Sequence, residues 1–400
     1  MKYFRGLAID NGGSEIRVLE ENASTENIVS YDNNFKRINE SDFRVKETED
    51  PFEVVRITKA PREEYLGVFA HGATARLYEG KSVLLSNQSK KTESIEYYMQ
   101  LVCNVAKDAG INDVYNRSFE ELEQLKAGRK GIFDLGRKWE YVMTIVIPIA
   151  EYSGKNDRPK YLREMLEGEY EVEFPLVKGD KPMIRSFSIK GSNIGVLPEG
   201  GVVVSGLKNV IGENDFTITF DLGHVSLDLA LWEGKKPYGS TVITSTKAGS
   251  VLLANCKAAL ADAGYVLNDD AVIRAMETGV VKSGIKEEDV SGIIKAEKEL
   301  YAHNYLAKDV LDLLLRNGAS VKQIQNVVPV GASFNSSIDS PTGDLLDMSL
   351  KAVDMTDVNV LRSTSNLRYA NVIQAQQFLK VLMKRVKIEA SKEYLEVKEA

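Results

Sequence analysis

Hydrophobic and polar residues follow the same pattern in two short segments that lie far apart in the chain. The first segment spans residues 7–19 and the second spans residues 217–231. Each begins with an apolar run that ends in Asp, passes through a turn that contains Gly, and ends in a run of alternating polar and apolar residues. This pattern is typical of a β-hairpin with a carboxylate beside its turn. We therefore predict two matching hairpins, over residues 3–20 and 216–232.

The other segments predict further strands and helices. Residues 141–147 form a continuous apolar run, which is typical of a strand that is buried on both faces. Further strands are predicted at residues 52–57, 65–70, 170–174, 183–189 and 325–330. Apolar residues at helical spacing predict helices at residues 93–108, 118–128, 160–169, 201–211, 248–263, 295–316 and 372–398. Residues 193–201 are expected to break the regular structure, and residues 265–295 to form a small helical insertion.

Length and composition narrow the class of protein. A chain of 400 residues exceeds what one hydrophobic core usually spans, so we expect two large lobes. The apolar fraction of 43% and the absence of a membrane-length apolar run favour a soluble protein. The N-terminus runs straight into a predicted strand and leaves no room for a signal peptide, so we expect a cytoplasmic location. The net charge of −7 argues against a broad nucleic-acid-binding face.

Cysteine usage agrees with a reducing compartment. The chain has two cysteines, Cys103 and Cys256, and both lie in apolar helical contexts far apart in sequence. Buried thiols are a simpler interpretation than a structural disulfide or a zinc site.

The two hairpin carboxylates, Asp10 and Asp221, are candidate ligands for Mg²⁺. Mg²⁺ prefers carboxylate and water oxygens and needs few protein ligands. A Gly-containing turn exposes backbone N–H groups that suit a phosphate, so each hairpin combines a phosphate-binding feature with a metal-binding one. The alternative is that each Asp closes a turn, because Asp is a common turn residue.

Other residues are weaker candidates when they are taken one at a time. Arg17 and His224 lie at or beside the two turns and could reach a phosphate, although a strand cation and a turn filler are equally simple interpretations. Small residues follow the strand at 325–330, and they would let the backbone approach a ligand closely. Glu199 could orient or deprotonate a water molecule, or it could be a solvated loop residue. No P-loop, nucleophile elbow or His-Glu-x-x-His motif occurs in the sequence.

Taken together, these segments resemble the superfamily of actin, sugar kinases and heat-shock ATPases, and within it the bacterial actin-like plasmid-segregation ATPases of the ParM type. Residues 8–17 resemble the first phosphate loop, and residues 220–228 resemble the second, which usually reads Asp-Leu-Gly-Gly-Thr-Thr-x-Asp. Four further segments are similar to the strand and Pro-Leu-x-x-Tyr/Phe step, the Met-Pro-Glu segment, the adenosine-contacting Gly-Gly-Gly and the late Ala-Asn-Val turn: residues 146–152, 196–199, 328–333 and 367–372.

The resemblance implies specific roles for these residues. Glu199 and Asp221 would be catalytic, with Glu199 orienting the attacking water, and Asp10 and Asp221 would hold Mg²⁺. The residues implied to bind ATP or GTP are Asn11, Gly12, Gly13, Ser14, Arg17, Gly223, His224, Val225, Ser226, Gly331, Ala332 and Ser333. The sequence departs from the pattern where His224 replaces a glycine, where Val225 and Ser226 replace threonines, and where Ala332 and Ser333 replace glycines. The choice between ATP and GTP therefore stays open.

The resemblance also implies an architecture. We expect an α/β, actin-like two-lobed ATPase fold, with mixed sheets flanked by helices around a central nucleotide cleft. Lobe I would comprise residues 1–200 and a C-terminal helix at about 380–400, with a small β subdomain at about 21–90. Lobe II would comprise residues 201–379, with a helical subdomain at about 265–318.

The implied function is a filament-forming, Mg-dependent ATPase or GTPase that drives plasmid DNA segregation. Its partners would be further copies of itself, in a head-to-tail polymer, and a small DNA-binding adaptor protein, with no direct contact to nucleic acid or membrane. Two alternatives stay open. One is a non-polymerising kinase of the same superfamily, for which Glu151 is a candidate acid or base, and the other is a scaffolding ATPase.

Overall fold

The computed structural model describes residues 3–12, 15–43, 50–78, 91–115, 139–152, 157–175, 182–207, 209–239, 241–283, 286–334 and 340–399. The chain forms two compact units. Unit 1 comprises Met1–Ile147, Gly154–Leu197 and Ala375–Ala400. Unit 2 comprises Pro148–Ser153 and Pro198–Gln374.

Strands and helices alternate along much of the described chain. The strands are β1 (Tyr3–Asn11), β2 (Glu15–Glu20), β3 (Val29–Asp32), β4 (Phe35–Ile38), β5 (Val54–Lys59), β6 (Gly67–His71), β7 (Trp139–Ile147), β8 (Gly168–Phe174), β9 (Met183–Pro198), β10 (Phe216–Leu222), β11 (Leu227–Glu233), β12 (Lys236–Pro237), β13 (Ile243–Ser245), β14 (Val280–Ser283), β15 (Lys286–Asp289), β16 (Ile324–Val330) and β17 (Asn359–Val360). The helices are α1 (Ile95–Tyr115), α2 (Ile149–Tyr152), α3 (Arg158–Leu166), α4 (Gly201–Gly206), α5 (Gly249–Asp262), α6 (Asp269–Thr278), α7 (Ser291–Tyr301), α8 (Ala307–Arg316), α9 (Leu345–Lys351) and α10 (Ala370–Glu399).

Unit 1 is built on a sheet of nine strands in the order β3-β2-β1-β7-β9-β8-β5-β6-β4. The predicted first hairpin is confirmed, because β1 and β2 pair in antiparallel fashion and Asp10 lies opposite Arg17. Strand β7 pairs with β1 in parallel, and every residue of β7 is buried, as its continuous apolar sequence predicts. Helix α10 packs against this sheet, where Gln376 Nε2 donates hydrogen bonds to the carbonyl oxygens of Glu20 (2.6 Å) and Ala23 (2.8 Å).

Unit 2 is built on a smaller sheet in the order β12-β11-β10-β16-β17, and β13 also pairs with β11. The predicted second hairpin is confirmed, because β10 and β11 pair in antiparallel fashion and Asp221 lies opposite Asp228. Strand β16 pairs with β10 in parallel. Apolar side chains from the sheet and its helices form one continuous core, which also buries Cys256.

The two sheets therefore share the same central arrangement of three strands. In unit 1 the order is β2-β1-β7, and in unit 2 it is β11-β10-β16. In each case a hairpin strand with Asp as its penultimate residue pairs with a parallel strand on its other side. Because parallel neighbours bring their carboxyl ends to the same edge of a sheet, the turn of each hairpin and the end of its parallel neighbour lie at one edge.

Some predicted elements differ from the structure. The break predicted at residues 193–201 is shorter than expected, because β9 continues to Pro198 and α4 begins at Gly201, so that only Glu199 and Gly200 form a turn. The predicted insertion at 265–295 contains the hairpin of β14 and β15 as well as helix α6. A π-helical turn at Ala302–Leu306 separates α7 from α8 within the predicted long helix. The helix predicted at residues 118–128 lies outside the described residues.

Helix α6 begins and ends as its local sequence dictates. The Asn268 side chain accepts a hydrogen bond from the Ala271 amide at 2.9 Å, and Gly279 adopts a left-handed conformation after the last turn. Asn at the N-cap and Gly after the C-terminus are the preferred residues at these positions. In the part of the chain that the structure describes, each helix falls short of the length or the apolarity that a membrane span requires.

Candidate functional site

The turn of the first hairpin places a buried ion pair beside it. Asp10 is 2% exposed, and its Oδ2 accepts a hydrogen bond from Arg17 Nη1 at 2.9 Å. Arg17 also contacts Glu15, with 3.1 Å between Arg17 Nε and Glu15 Oε2. Residues directly opposite each other on antiparallel strands point to the same face, so the pairing register brings the carboxylate and the guanidinium together. The predicted phosphate-binding residues Gly13 and Ser14 lie outside the described residues.

Three buried amide side chains form hydrogen bonds next to this turn. Asn11, Asn33 and Gln100 form a closed ring of hydrogen bonds, and none of them is more than 1% exposed. Asn33 Nδ2 also donates a hydrogen bond to the carbonyl oxygen of Gly12 at 2.5 Å. The ring therefore holds the main chain of the turn at the point where β1 ends.

Sequence reasoning identified Asn11 but missed Asn33 and Gln100. A signal for Gln100 was present, because Gln100, Asn104 and Lys107 recur at helical spacing within the otherwise apolar helix α1. All three are buried in the structure. Polar residues on a buried helix face must find polar partners, and such a stripe indicates a buried polar network.

The turn of the second hairpin is hydrogen-bonded to the start of helix α5. Within the turn, the Gly223 amide donates a hydrogen bond to the Ser226 carbonyl oxygen at 2.9 Å. The amides of Gly249 and Ser250 donate to the carbonyl oxygens of Gly223 (3.0 Å) and His224 (2.8 Å). The first amides of a helix have no partner within the helix, and here they hold the turn in place.

The residue that follows β16, Gly331, lies very close to the end of the neighbouring parallel strand β10. Gly331 has a φ of +97°, and a Cβ atom on it would lie 2.2 Å from the Leu222 carbonyl oxygen. A Cβ atom on Gly249 would lie 3.2 Å from Ser333 Oγ. The structure therefore brings together the turn that contains Gly223, the start of α5 and the segment from Gly331 to Ser333. Sequence reasoning proposed the first and third of these as parts of one nucleotide site and did not include the start of α5.

Asp221 lies half-buried at the end of β10. Its Oδ2 accepts a hydrogen bond from Asn371 Nδ2 at 3.0 Å. Its cross-strand neighbour is Asp228, which is 5% exposed and accepts a hydrogen bond from Thr244 Oγ1 at 2.6 Å. Two carboxylates thus lie on one face of this hairpin, where the first hairpin has a carboxylate and a guanidinium.

Asn371 also contacts the segment that carries Glu199. Glu199 follows the last residue of β9 and is 8% exposed. The next residue, Gly200, has a φ of +67°, and its amide donates a hydrogen bond to Asn371 Oδ1 at 3.1 Å. One side chain therefore connects the main chain beside Glu199 to the carboxylate of Asp221. Sequence analysis placed Asn371 within the segment 367–372 but gave it no role.

The carboxylates differ in how well they suit Mg²⁺. Among the described residues, no three His, Cys, Asp or Glu side chains cluster closely enough to enclose a metal ion. Mg²⁺ is commonly held by one or two carboxylates and by water, so a single carboxylate beside a phosphate site suffices. The Asp221 carboxylate accepts a hydrogen bond from the neutral side-chain amide of Asn371. Asp10 is already paired with Arg17.

The cysteines have the buried environment that their sequence contexts predict, whereas the three histidines differ in exposure. His71 is 1% exposed, and its burial lowers the pKa of the ring to about 4, an effect to which the charge of Lys107 adds. His224 and His303 are exposed. Both cysteines are buried, and burial raises the pKa of each thiol above its usual value. These thiols are therefore poor nucleophiles.

Comparison with known proteins identifies the fold. No family model matches the sequence, and no curated protein matches it. Solved structures do match over nearly the whole chain. The actin-like protein Alp7A is 14% identical, with a TM-score of 0.65, and the match covers 99% of this chain and 100% of Alp7A.

Two ParM structures match in the same way. ParM from Bacillus thuringiensis, solved with ATP, is 14% identical with a TM-score of 0.56, and the match covers 96% of this chain and 99% of that protein. The 15-stranded ParM filament from Clostridium botulinum is 14% identical with a TM-score of 0.54, and the match covers 95% of this chain and 99% of that one. The predicted α/β class is confirmed, and the chain has the actin-like fold of ParM-type proteins.

Proposed function

We propose that this protein is a Mg²⁺-dependent nucleoside triphosphatase whose nucleotide state controls head-to-tail assembly into a filament. The observation that carries the proposal is the convergence, within unit 2, of the Gly223 turn, the end of β16 and the pair of Asp221 and Glu199 joined through Asn371. Each of these features occurs commonly by itself. Their convergence at the end of β10, in a protein with an actin-like fold, supports a site for phosphoryl chemistry.

Phosphate binding is assigned to the turns of the two hairpins. In unit 2 the binding residues would be Gly223, His224, Val225 and Ser226, with Gly331, Ala332 and Ser333 on the nucleoside side. In unit 1 they would be Asn11, Gly12, Gly13, Ser14 and Arg17. Backbone amides at a tight turn suit an anion, and Arg17 adds a positive charge that Asp10 holds in place.

Asp221 is the proposed principal ligand for Mg²⁺, and Asp10 remains a second candidate. A bound Mg²⁺ supplies charge neutralisation at the phosphates and orders the surrounding water. The side chain of Asn371 keeps the Asp221 carboxylate in one orientation. Asp10 would take part in metal binding only after releasing Arg17.

Glu199 is the proposed residue that orients the attacking water and accepts its proton. It lies in the short segment between β9 and α4, and the Gly200 amide anchors that segment to Asn371. A carboxylate that is 8% exposed is partly shielded from bulk water, which strengthens its interaction with a nearby proton donor. Hydrolysis of the terminal phosphoanhydride would then release inorganic phosphate.

Filament assembly and plasmid segregation extend the proposal beyond the site. ParM from Clostridium botulinum forms a 15-stranded filament and ParM from Bacillus thuringiensis was solved with ATP, and the chain shares their fold. A contact between unlike surfaces does not close on itself and gives a polymer. The net charge of −7 supports indirect attachment to plasmid DNA through a small DNA-binding adaptor.

Nucleotide-dependent assembly is the decisive test. Purified protein is mixed with Mg-ATP or Mg-GTP, and light scattering, phosphate release and negative-stain electron microscopy are recorded over time. The expected result is a rise in scattering, filaments on the grid, and phosphate release that follows assembly. Phosphate release without filaments at any protein concentration would overturn the assembly proposal and favour a kinase or scaffolding ATPase. Absence of both would overturn the proposed function itself.

A further inference from the structure

Asn371 uses both ends of its side-chain amide within unit 2. Oδ1 accepts a hydrogen bond from the Gly200 amide at 3.1 Å, and Nδ2 donates one to Asp221 Oδ2 at 3.0 Å. The residue is 5% exposed, so both bonds are largely shielded from water. These contacts link parts of the sequence that are 171 and 150 residues away from Asn371.

The chemistry of these two bonds specifies an amide. Gly200 presents an N–H donor and needs an acceptor, whereas the Asp221 carboxylate needs a donor. Asparagine supplies both groups on one short side chain. An aspartate could satisfy only the Gly200 amide, and an apolar residue could satisfy neither group, which would leave two polar groups without their partner.

The place of Asn371 in the chain adds a second feature. Asn371 is the second residue of α10, and this helix continues from unit 2 into unit 1, which resumes at Ala375. Gly200 lies just after Pro198, where the chain passes from unit 1 into unit 2. Asn371 therefore lies next to the point where the chain returns to unit 1. Its hydrogen bond to the Gly200 amide connects it to the point where the chain enters unit 2.

We propose that Asn371 is a positioning residue for nucleotide hydrolysis, acting through both Asp221 and the Glu199 segment. This inference depends on the proposed function. By donating to Oδ2, Asn371 sets the orientation in which the Asp221 carboxylate meets Mg²⁺. By accepting from the Gly200 amide, it sets the position of the segment that carries Glu199. A partner behind a metal ligand typically contributes about 10- to 100-fold to metal affinity or activity.

The test compares Asn371→Ala with the wild-type protein and with Asn366→Ala. Asn366 is an exposed residue in the same segment, and its side chain caps a short helical turn by accepting from the Arg368 amide. Three quantities are measured for each protein: the Mg²⁺ concentration for half-maximal phosphate release, the rate at saturating Mg-nucleotide, and the melting temperature without nucleotide. Asn371→Ser is a second variant in case the alanine variant folds poorly.

A double-mutant cycle separates positioning from a general structural role. Asp221→Ala and the pair Asp221→Ala with Asn371→Ala are measured for Mg²⁺ dependence. If Asn371 acts through Asp221, removing Asn371 has no further effect on Mg²⁺ dependence once Asp221 is gone. If Asn371 only stabilises the fold, the two substitutions combine additively.

The expected result is a 10-fold or larger rise, by order of magnitude, in the Mg²⁺ requirement of Asn371→Ala, with a slower saturated rate and non-additivity with Asp221→Ala. Asn366→Ala should match the wild type within about twofold. If the wild type hydrolyses nucleotide and Asn371→Ala has the same Mg²⁺ requirement and saturated rate, this inference is overturned and the proposed function stands. The same holds if the effects of Asn371→Ala and Asp221→Ala on Mg²⁺ dependence are additive and Asn371→Ala has a lower melting temperature. A wild type that neither binds nor hydrolyses nucleotide would overturn both.

Discussion

The two hairpins share a backbone pattern but differ in the charge that each Asp faces. Asp10 lies opposite Arg17 and forms a buried ion pair with it, whereas Asp221 lies opposite Asp228 and accepts a hydrogen bond from the neutral Asn371. An ion pair lowers the affinity of a carboxylate for a further cation, because the charge is already balanced. We propose that the same strand, turn and carboxylate serve phosphate through an arginine in unit 1 and Mg²⁺ in unit 2.

The supports beneath the two turns differ as well. In unit 1 a ring of three buried amide side chains holds the main chain at Gly12. In unit 2 the amides at the start of α5 hold the turn at Gly223 and His224. Side-chain networks are specified residue by residue, whereas main-chain bonds need only the right helix position. We therefore expect the first turn to be the more sensitive to conservative substitution.

The largest expected effect concerns the hydrolysis step, for which Glu199 of unit 2 is the proposed general base. Glu199→Gln should slow phosphate release by about a thousandfold, because a positioned carboxylate contributes about 10²- to 10⁴-fold as a general base. Nucleotide-dependent assembly should persist, so filaments should outlive those of the wild type. Single-turnover phosphate release and sedimentation measure the two effects. A comparable loss in Glu15→Gln, at the first hairpin, would contradict the assignment.

The next effect concerns backbone crowding at the second hairpin. Gly331→Ala should lower the free energy of unfolding by about 3 kcal/mol, because an added Cβ would be strained at a φ of +97° and would lie 2.2 Å from the Leu222 carbonyl oxygen. Gly223→Ala, where the closest atom is the Ser226 carbonyl oxygen at 3.3 Å, should cost less than about 1 kcal/mol. Urea denaturation of both variants gives the values. Equal losses of unfolding free energy in the two variants would show that Gly331 lies further from the end of β10 than described.

A direct test of the comparison exchanges each Asp for Asn. Asp221→Asn should raise the Mg²⁺ concentration for half-maximal nucleotide binding by about tenfold, whereas Asp10→Asn should raise it by less than about threefold, because Arg17 already balances Asp10. Asp10→Asn should instead lower the free energy of unfolding by about 2 kcal/mol, since it removes one of the two carboxylates that contact the largely buried Arg17 guanidinium. Mg²⁺ titrations with a fluorescent nucleotide and urea denaturation measure these effects. A stronger Mg²⁺ effect in Asp10→Asn would reverse the assignment.

The smallest effect concerns pH and involves unit 1 alone. Burial holds the pKa of His71 at about 4, so between pH 6.5 and about 4 the unfolded chain binds a proton that the folded chain does not. Stability should therefore fall by about 1 kcal/mol from pH 7 to pH 5.5, and His71→Asn should lack that share of the decline. Denaturation at a series of pH values measures it. His303→Asn is the control, because His303 is exposed, and an identical pH dependence in His71→Asn would contradict the interpretation.

Much of the fold could be predicted from local sequence. The first hairpin, the second hairpin and strand β7 were predicted within a few residues, because alternation, Gly at turns and continuous apolar runs are short-range properties. The break predicted at 193–201 is confined to the turn at Glu199 and Gly200, because the Gly-containing segment before it continues β9 with partners in the sheet. The hairpin of β14 and β15 was missed because most of its residues are polar, so the alternation of apolar and polar residues that predicts a strand is absent.

The candidate site was predicted less completely than the fold. Asp10, Asp221 and Glu199 could be chosen from their motifs and from the resemblance to a family, and their roles remain proposals. Asn33, Gln100 and Asn371 were given no role. Asn33 carries no motif, Gln100 lies in a polar stripe of α1 that was not interpreted, and Asn371 lies in the matched segment 367–372. Their importance comes from partners that are distant in sequence.

The sequence alone determined where the carboxylates and glycines fall, because turn chemistry and strand alternation depend on adjacent residues. Only the tertiary structure decided which charge each carboxylate meets. Arg17 lies opposite Asp10 through the pairing register of β1 and β2, whereas Asn371 reaches Asp221 across 150 residues of chain. The electrostatic interactions that set metal and phosphate affinity fall off over a few ångströms, and folding, not sequence order, determines which groups come that close.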